Sequence, residues 1–418
     1  MPSYRTADRT ILRDLAKRVA EIAAAPVQQE RIRLWKKHNA LQPCRPMILI
    51  FPEGSWRELV PEEILRCEDP DARRTEAQLR RTLHQHEHFD CDNVVPATWP
   101  VGKAIRETSW GLEAQQIAAP ATLGAWHIDP VLHSAADLRK LRHPEILHDE
   151  RAAQEALSQT QELFGDIFDV QPQGRAGISY HLMAQYTKLR GLNEAMVDMY
   201  ENPGLIHEFM AFVTEGHQRL MRQCIERGLL SLNNDNTYQN SGGNGWTDTL
   251  PGREFDGVHV EPRHMWGSAE SQELAQVSPE HHAAFALAYE KKLLAPFALT
   301  GYGCCEDLTR KLGLIFEHLP NIRRVSISPW ADVDACAAQL ANRRAIFSWK
   351  PNPAHLVGTF HETAVRAYIR HTVAVCRQHD CALEVILKDT HTCENHPERF
   401  DLWTRIAREE IERNEAKA

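Results

Sequence analysis

The sequence predicts an α/β protein folded as one (β/α)8 barrel of the TIM type with an N-terminal helical arm. Three observations lead there. Short apolar runs rich in β-branched and aromatic residues alternate with longer segments of helical period, the pattern of a parallel sheet with crossover helices. The 418 residues suit one barrel with insertions, and no linker or break in composition asks for a second domain. Polar and ligand-type residues gather directly after the apolar runs, where a parallel barrel opens its mouth.

Residues 1–44 are assigned to the arm. Ile11, Leu12, Leu15, Val19 and Ile22 recur at helical spacing, and a second helical stretch runs from Glu30 to Leu41. Residues 45–418 form the barrel. Its candidate strands are Met47 to Phe51, Asn93 to Ala97, Ala176 to Ser179, Leu229 to Leu232, His264 to Trp266, Phe297 to Thr300, Val325 to Ile327, Ala345 to Ser348 and Ala382 to Leu387, nine for eight places. Long helices are expected over Pro203 to Arg227, Pro279 to Leu294, Phe360 to His379, and from Pro397 onward. The stretch at about 98–170 reads as an inserted small layer.

Composition excludes several functions. The net charge of −9 is spread along the chain without a Lys/Arg block, which argues against a nucleic-acid or anionic-membrane partner. Charged residues from Asp8 to Glu21 interrupt the N-terminal apolar pairs, and no 18-residue apolar stretch follows, so a cytoplasmic location is expected. Ten cysteines without a secretory signal read as free thiols or metal ligands. Most of them read as buried packing residues.

The residues after each strand supply the candidate site. They include Glu53, Tyr180, His181, Asn233, Asp235, Glu270, Tyr302, Cys304, Cys305, Glu306, Trp330, Lys388, Asp389, His391 and Cys393. Tyr180, His181, Asn233, Asp235, Tyr302 and Trp330 are read as substrate-binding. Gly301 and Gly303 let the backbone turn so that a thiol can face the mouth. A thiolate there needs a cation, and zinc suits soft sulfur ligands completed by nitrogen or carboxylate. Cys304, Cys305 and Cys393 are the expected donors. Against this, Cys304 and Cys393 stand 89 positions apart and lack compact zinc spacing, and Glu270 serves equally as ligand, general base or helix-cap partner. The glycine-rich Asn240 to Trp246 lacks the P-loop Lys-Ser/Thr and is read as a mobile lid near the mouth.

With Pro46-Met47-Ile48-Leu49, Val277-Ser278-Pro279-Glu280-His281, the cysteine strand, Val325 to Asp332 and the Cys393 region in view, residues 45 to 410 resemble the uroporphyrinogen decarboxylase superfamily, in its zinc-dependent methyltransferase branch. In that branch a His-x-Cys pair and a late cysteine hold the metal. Tyr302-Gly303-Cys304 stands at the first position, so Cys304 and Cys393 carry over and the histidine does not. Glu270, Cys305, Glu306 and His391 compete for the third place, with Glu270 and His391 preferred. Phe51 to Trp56, with Glu53, lacks the arginines that grip a carboxylated tetrapyrrole. The resemblance implies methyl transfer from a small O- or N-methylated substrate to a corrinoid (cobalamin) on a corrinoid-binding partner protein, with zinc as Lewis acid and His391, Lys388 or Asp389 as proton donor. The alternatives are a metal-free decarboxylase or lyase using Glu53, His181 and Asp235, and a non-catalytic corrinoid- or tetrapyrrole-binding module. A homodimer stays open as the assembly state.

Overall fold

Seven strands make one parallel sheet: β1 (Met47–Ile50), β2 (Ser179–Tyr180), β3 (Trp266–Ala269), β4 (Leu299–Tyr302), β5 (Ile322–Ile327), β6 (Ile346–Trp349) and β7 (Ala382–Leu387). They come from a computed structural model that describes residues 4–117 and 127–415. The order is β1-β7-β6-β5-β4-β3-β2, so the first strand pairs with the last and every other neighbour is next in the series. Met47 lies opposite Glu384, and Ile50 opposite Leu387. This cyclic order, with helices between the strands, is that of a TIM-type α/β fold. The hydrogen-bonded ladder stops between β1 and β2.

Two of the nine expected strands, Asn93 to Ala97 and Leu229 to Leu232, are not strands of this sheet. In the first, side chains take the backbone groups that a ladder would use. Trp35 donates to the Asp92 carbonyl (2.8 Å), Arg31 to that of Asn93 (2.8 Å) and Asn236 to that of Val94 (3.1 Å), while the Val95 amide donates to Gln28 (2.9 Å). A segment so satisfied needs no neighbouring strand. The second keeps one parallel bridge, Arg175 with Leu230. The segment expected to begin a strand at His264 starts instead with a 3-10 turn, Pro262–His264, and pairing begins at Trp266.

The helices lie close to their expected spans. They are α1 (Thr6–Ala23), α2 (Pro26–Asn39), α3 (Pro203–Glu226), α4 (Glu362–Gln378) and α5 (Glu398–Glu415). The stretch from Pro279 to Leu294 is helical with a π turn at Ala283–Leu287. In the insertion, Thr98–Gly102 pairs with Asp169–Gln173, Ile105–Glu107 with Ile146–His148, and Gln115–Ile117 with His127–Asp129. No helix among the described residues is long and apolar enough to cross a membrane.

Side chains alternate across each strand, and the inner row is unusually polar. Arg324, Glu384, Ser348 and Ser268 are each buried on it. Arg324 pairs with Glu384 at 2.9 Å, lies over the Trp266 ring at 5.0 Å and donates to Asn39 at 2.6 Å. His38, also from the end of α2, reaches Glu384 at 3.1 Å.

The segment Asn240 to Trp246 fills this interior, which corrects its reading as a lid. Ser241 and Asn244 are buried, and the Ser241 carbonyl accepts from Lys350 at 2.5 Å. The glycines are there for close approach: a Cβ on Gly242 would stand 1.8 Å from the Ser348 hydroxyl, and one on Gly243 2.4 Å from Arg324. Both also adopt positive φ. Lys350 is wholly enclosed, donating also to the Ser348 hydroxyl and carbonyl (2.6 and 3.0 Å). Burial lowers its pKa to about 7 despite the nearby Glu384.

Candidate active site

The loop after β4 begins at Gly303, whose amide donates to the Ala269 carbonyl (3.0 Å) and whose φ is +88°. A side chain there would press on Leu308 at 2.7 Å, so the tight turn requires glycine. The turn is anchored by Glu306, buried beneath it, which accepts from the amides of Cys304 (2.8 Å) and Ser271 (3.4 Å). The Cys304 carbonyl accepts from Ser326 at 2.6 Å. Cys304 and Cys305 are left partly exposed with their sulfurs 3.4 Å apart.

The loop after β7 meets this pair. Lys388 donates from Nζ to the Cys304 sulfur at 3.6 Å, and the Cys305 thiol donates to Asp389 at 3.5 Å. The Asp389 amide donates to Glu53 at 3.1 Å, which ties the loop after β1 to the same cluster. The neighbouring Cys305 thiol and the Lys388 ammonium stabilise the Cys304 thiolate against burial and bring its pKa down to about 7. Cys305 moves the other way. Two such close thiols share one easily lost proton, so the Cys304 thiolate and its own burial hold Cys305 protonated. Glu53 is raised by burial and by Asp389.

Across the mouth, His181 ends β2 and donates from Nδ1 to Glu270, which follows β3. Glu270 is buried and accepts in addition from the Gln272 amide at 3.0 Å. The hydrogen bond to Glu270 raises the His181 pKa, and the charge of Cys304 adds to it, so the two halves of the mouth sense each other. Burial together with Glu270 and Glu306 lifts Glu273 to about 7.

Several predicted residues take other positions. Tyr302 is fully buried on the outer face of β4, where it donates to Glu290 (2.8 Å) and contacts His282 (2.7 Å). Strand alternation sends it there because Gly301, one residue earlier, faces Ser241 inside. Tyr180 packs against His217 of α3 and Phe297. Asn233 is buried and spends its amide on the Ala176 and Trp266 backbone, and Asp235 caps a turn through Thr237. Of the six residues read as substrate-binding, these four make packing or turn contacts. His181 remains in the mouth, and Trp330, 70% exposed, stands after β5. His391 is exposed, and its backbone carbonyl accepts from Arg57 at 2.7 Å.

The expected zinc set is not assembled. Among the described residues no three His, Cys, Asp or Glu side chains come together in a way that could hold a metal ion. Cys393 is buried with its thiol donating to Glu58 at 3.0 Å. Burial and Glu58 push that thiol up to about 11. Glu270 is engaged by His181, and Cys304 by Lys388, whose ammonium stands where the thiolate's counter-cation was expected. Cys304, Cys305, Cys393 and Glu270 do not fit one metal centre in this arrangement. Sequence reading missed Glu58, because nothing in the sequence marks it as the partner of Cys393.

The thiolate assignment carries a direct expectation. Iodoacetamide should label Cys304 ahead of the other cysteines, with a rate that rises to half its maximum near pH 7, the thiolate being present above its pKa of about 7. Lys388→Met should move that midpoint upward and slow labelling at neutral pH. Peptide mass spectrometry reads both. Faster labelling of Cys393, or an unmoved midpoint in the variant, contradicts the assignment.

No protein-family model matches the chain, and no curated protein matches it. Among solved structures, the chain is similar to a methyltransferase from Methanosarcina mazei, with 11% identity, a TM-score of 0.48, and coverage of 90% of this chain and 97% of that one. So distant a likeness says nothing about the reaction, and the resemblance to the uroporphyrinogen decarboxylase superfamily rests on the sequence segments named above.

Proposed function

We propose that this chain is a methyltransferase that moves the methyl group of a small O- or N-methylated compound to the reduced cobalt of a corrinoid carried on a partner protein. The supporting observation is the meeting at one mouth of a low-pKa thiol, Cys304, with the His181–Glu270 pair. A methyl group in flight carries partial positive charge, which the Cys304 thiolate and the Glu270 carboxylate stabilise from the two sides of the mouth. The departing oxygen or nitrogen needs a proton, and the raised His181 pKa keeps one on the imidazole to higher pH than in an ordinary histidine. Glu270 holds the imidazole in place by accepting from Nδ1 and leaving the other ring nitrogen for the substrate. The same anionic lining, with Glu53, disfavours a polycarboxylate substrate and so the decarboxylase alternative. Exposed Trp330 offers the partner an apolar contact beside the mouth.

The test uses free cob(I)alamin as acceptor with a panel of methoxylated aromatics and methylated amines. Formation of methylcobalamin, followed by its absorbance, should require the chain and be lost in Cys304→Ser and His181→Asn. No methylcobalamin from any donor, with carbon dioxide released from a carboxylated ligand instead, would replace this reading with the lyase. Elemental analysis of the purified protein tests the zinc expectation separately: zinc lost in both Cys304→Ser and Cys393→Ser would show that the two sulfurs come together on metal binding.

A further inference from the structure

The two adjacent thiols carry more chemistry than a nucleophile needs. Their sulfurs are already in contact at 3.4 Å, one beside an ammonium and the other beside a carboxylate, and both are partly exposed. We propose that Cys304 and Cys305 form a thiol–disulfide exchange pair that closes to a vicinal disulfide when it meets a small-molecule disulfide.

The steps balance. The Cys304 thiolate attacks one sulfur of the small disulfide, whose S–S bond breaks, and the first small thiolate leaves. Cys305 passes its proton to the Asp389 carboxylate 3.5 Å away, and its sulfur attacks the Cys304 sulfur. The second small thiol leaves with the proton that Asp389 received. Two protein thiols are oxidised, and one small disulfide is reduced to two thiols.

Lys388 favours the first step by holding Cys304 as the attacking form, and contact between the sulfurs favours the second over escape of a mixed disulfide. The product is easily reversed. Neighbouring Cα atoms lie about 3.8 Å apart across one trans peptide bond, below the span of about 4.4 Å where ordinary disulfides begin, so the ring is strained and readily reduced. The other cysteine expected at this site, Cys393, is buried against Glu58 and takes no part. Closure removes the thiolate from the mouth, so the exchange would act as a reversible block on whatever chemistry Cys304 performs.

The experiment needs no methyl donor, so its outcome is separate from that of the methyl-transfer reading. The native protein is treated with oxidised glutathione, then digested without reduction and mapped by mass spectrometry. The expected product is the peptide containing Cys304 and Cys305, lighter by two hydrogen atoms and free of glutathione, and reduced glutathione should restore the dithiol. In Cys305→Ser the reaction should stop at glutathione attached to Cys304. In Lys388→Gln at neutral pH the first step should slow several-fold while the same final product forms. A stable glutathione adduct on Cys304 in the unaltered protein, or a disulfide joining either residue to another cysteine, overturns the proposal. Because the first arm uses the unaltered chain, a variant that fails to fold does not remove the test.

Discussion

Glu384→Gln should destabilise the fold by about 3–5 kcal/mol, the usual cost of removing one partner from a buried ion pair. The carboxylate is fully buried on β7, paired with Arg324 at 2.9 Å and His38 at 3.1 Å. The neutral amide would leave the Arg324 charge enclosed with Lys350 close by and no anion between them. Burial alone would raise the Glu384 pKa, but Arg324, His38 and Lys350 overcome it and hold the group at about 2. The sign of the pH dependence follows. A carboxyl depressed on folding contributes stability that is fully present above its unfolded pKa of about 4.3 and is lost as pH falls through its folded value. The gap between parent and variant should therefore be widest near neutrality and shrink between about pH 4.5 and 2. Urea denaturation across that range measures it. Arg324→Met combined with Glu384→Met should cost less than the sum of the two single changes, since the pair leaves together. Strict additivity would show that the two charges do not depend on each other.

This buried charge cluster marks where the sequence was readable and where it was not. The sheet was legible because seven of the apolar runs pair with one another in one parallel ladder. Asn93 to Ala97 looks the same in sequence. It differs because Gln28, Arg31 and Asn236 reach it from distant positions, and a local pattern carries no trace of them. The glycines of Asn240 to Trp246 resembled a surface loop, yet they answer to the room left between Ser348, Glu384 and Arg324. One miss was avoidable. With Gly301 and Gly303 facing one way, parity alone puts Tyr302 on the opposite face of β4. The joining of Cys304 to Lys388, by contrast, follows from both lying just past strands that open on the same mouth.

The His181–Glu270 pair should give the larger effect on catalysis. If His181 supplies the proton to the leaving oxygen or nitrogen, His181→Asn should lower kcat by about 10²- to 10⁴-fold, the range for loss of a positioned acid. Glu270→Gln should separate positioning from structure, because the amide keeps the shape of the side chain and changes the charge that His181 feels. The Glu270 hydrogen bond raises the His181 pKa, so the protonated imidazole persists to higher pH than an ordinary histidine. Activity should fall on the alkaline side as that proton is lost. In Glu270→Gln the alkaline limb should move to lower pH, while the acid limb, set by the Cys304 thiolate at about 7, keeps or slightly lowers its position as one nearby negative charge is removed. A merely structural role for Glu270 would reduce activity equally at every pH. The full pH profile of methylcobalamin formation, recorded for the parent and both variants, therefore decides between an acid held ready by its carboxylate and a carboxylate that only braces the loop after β3.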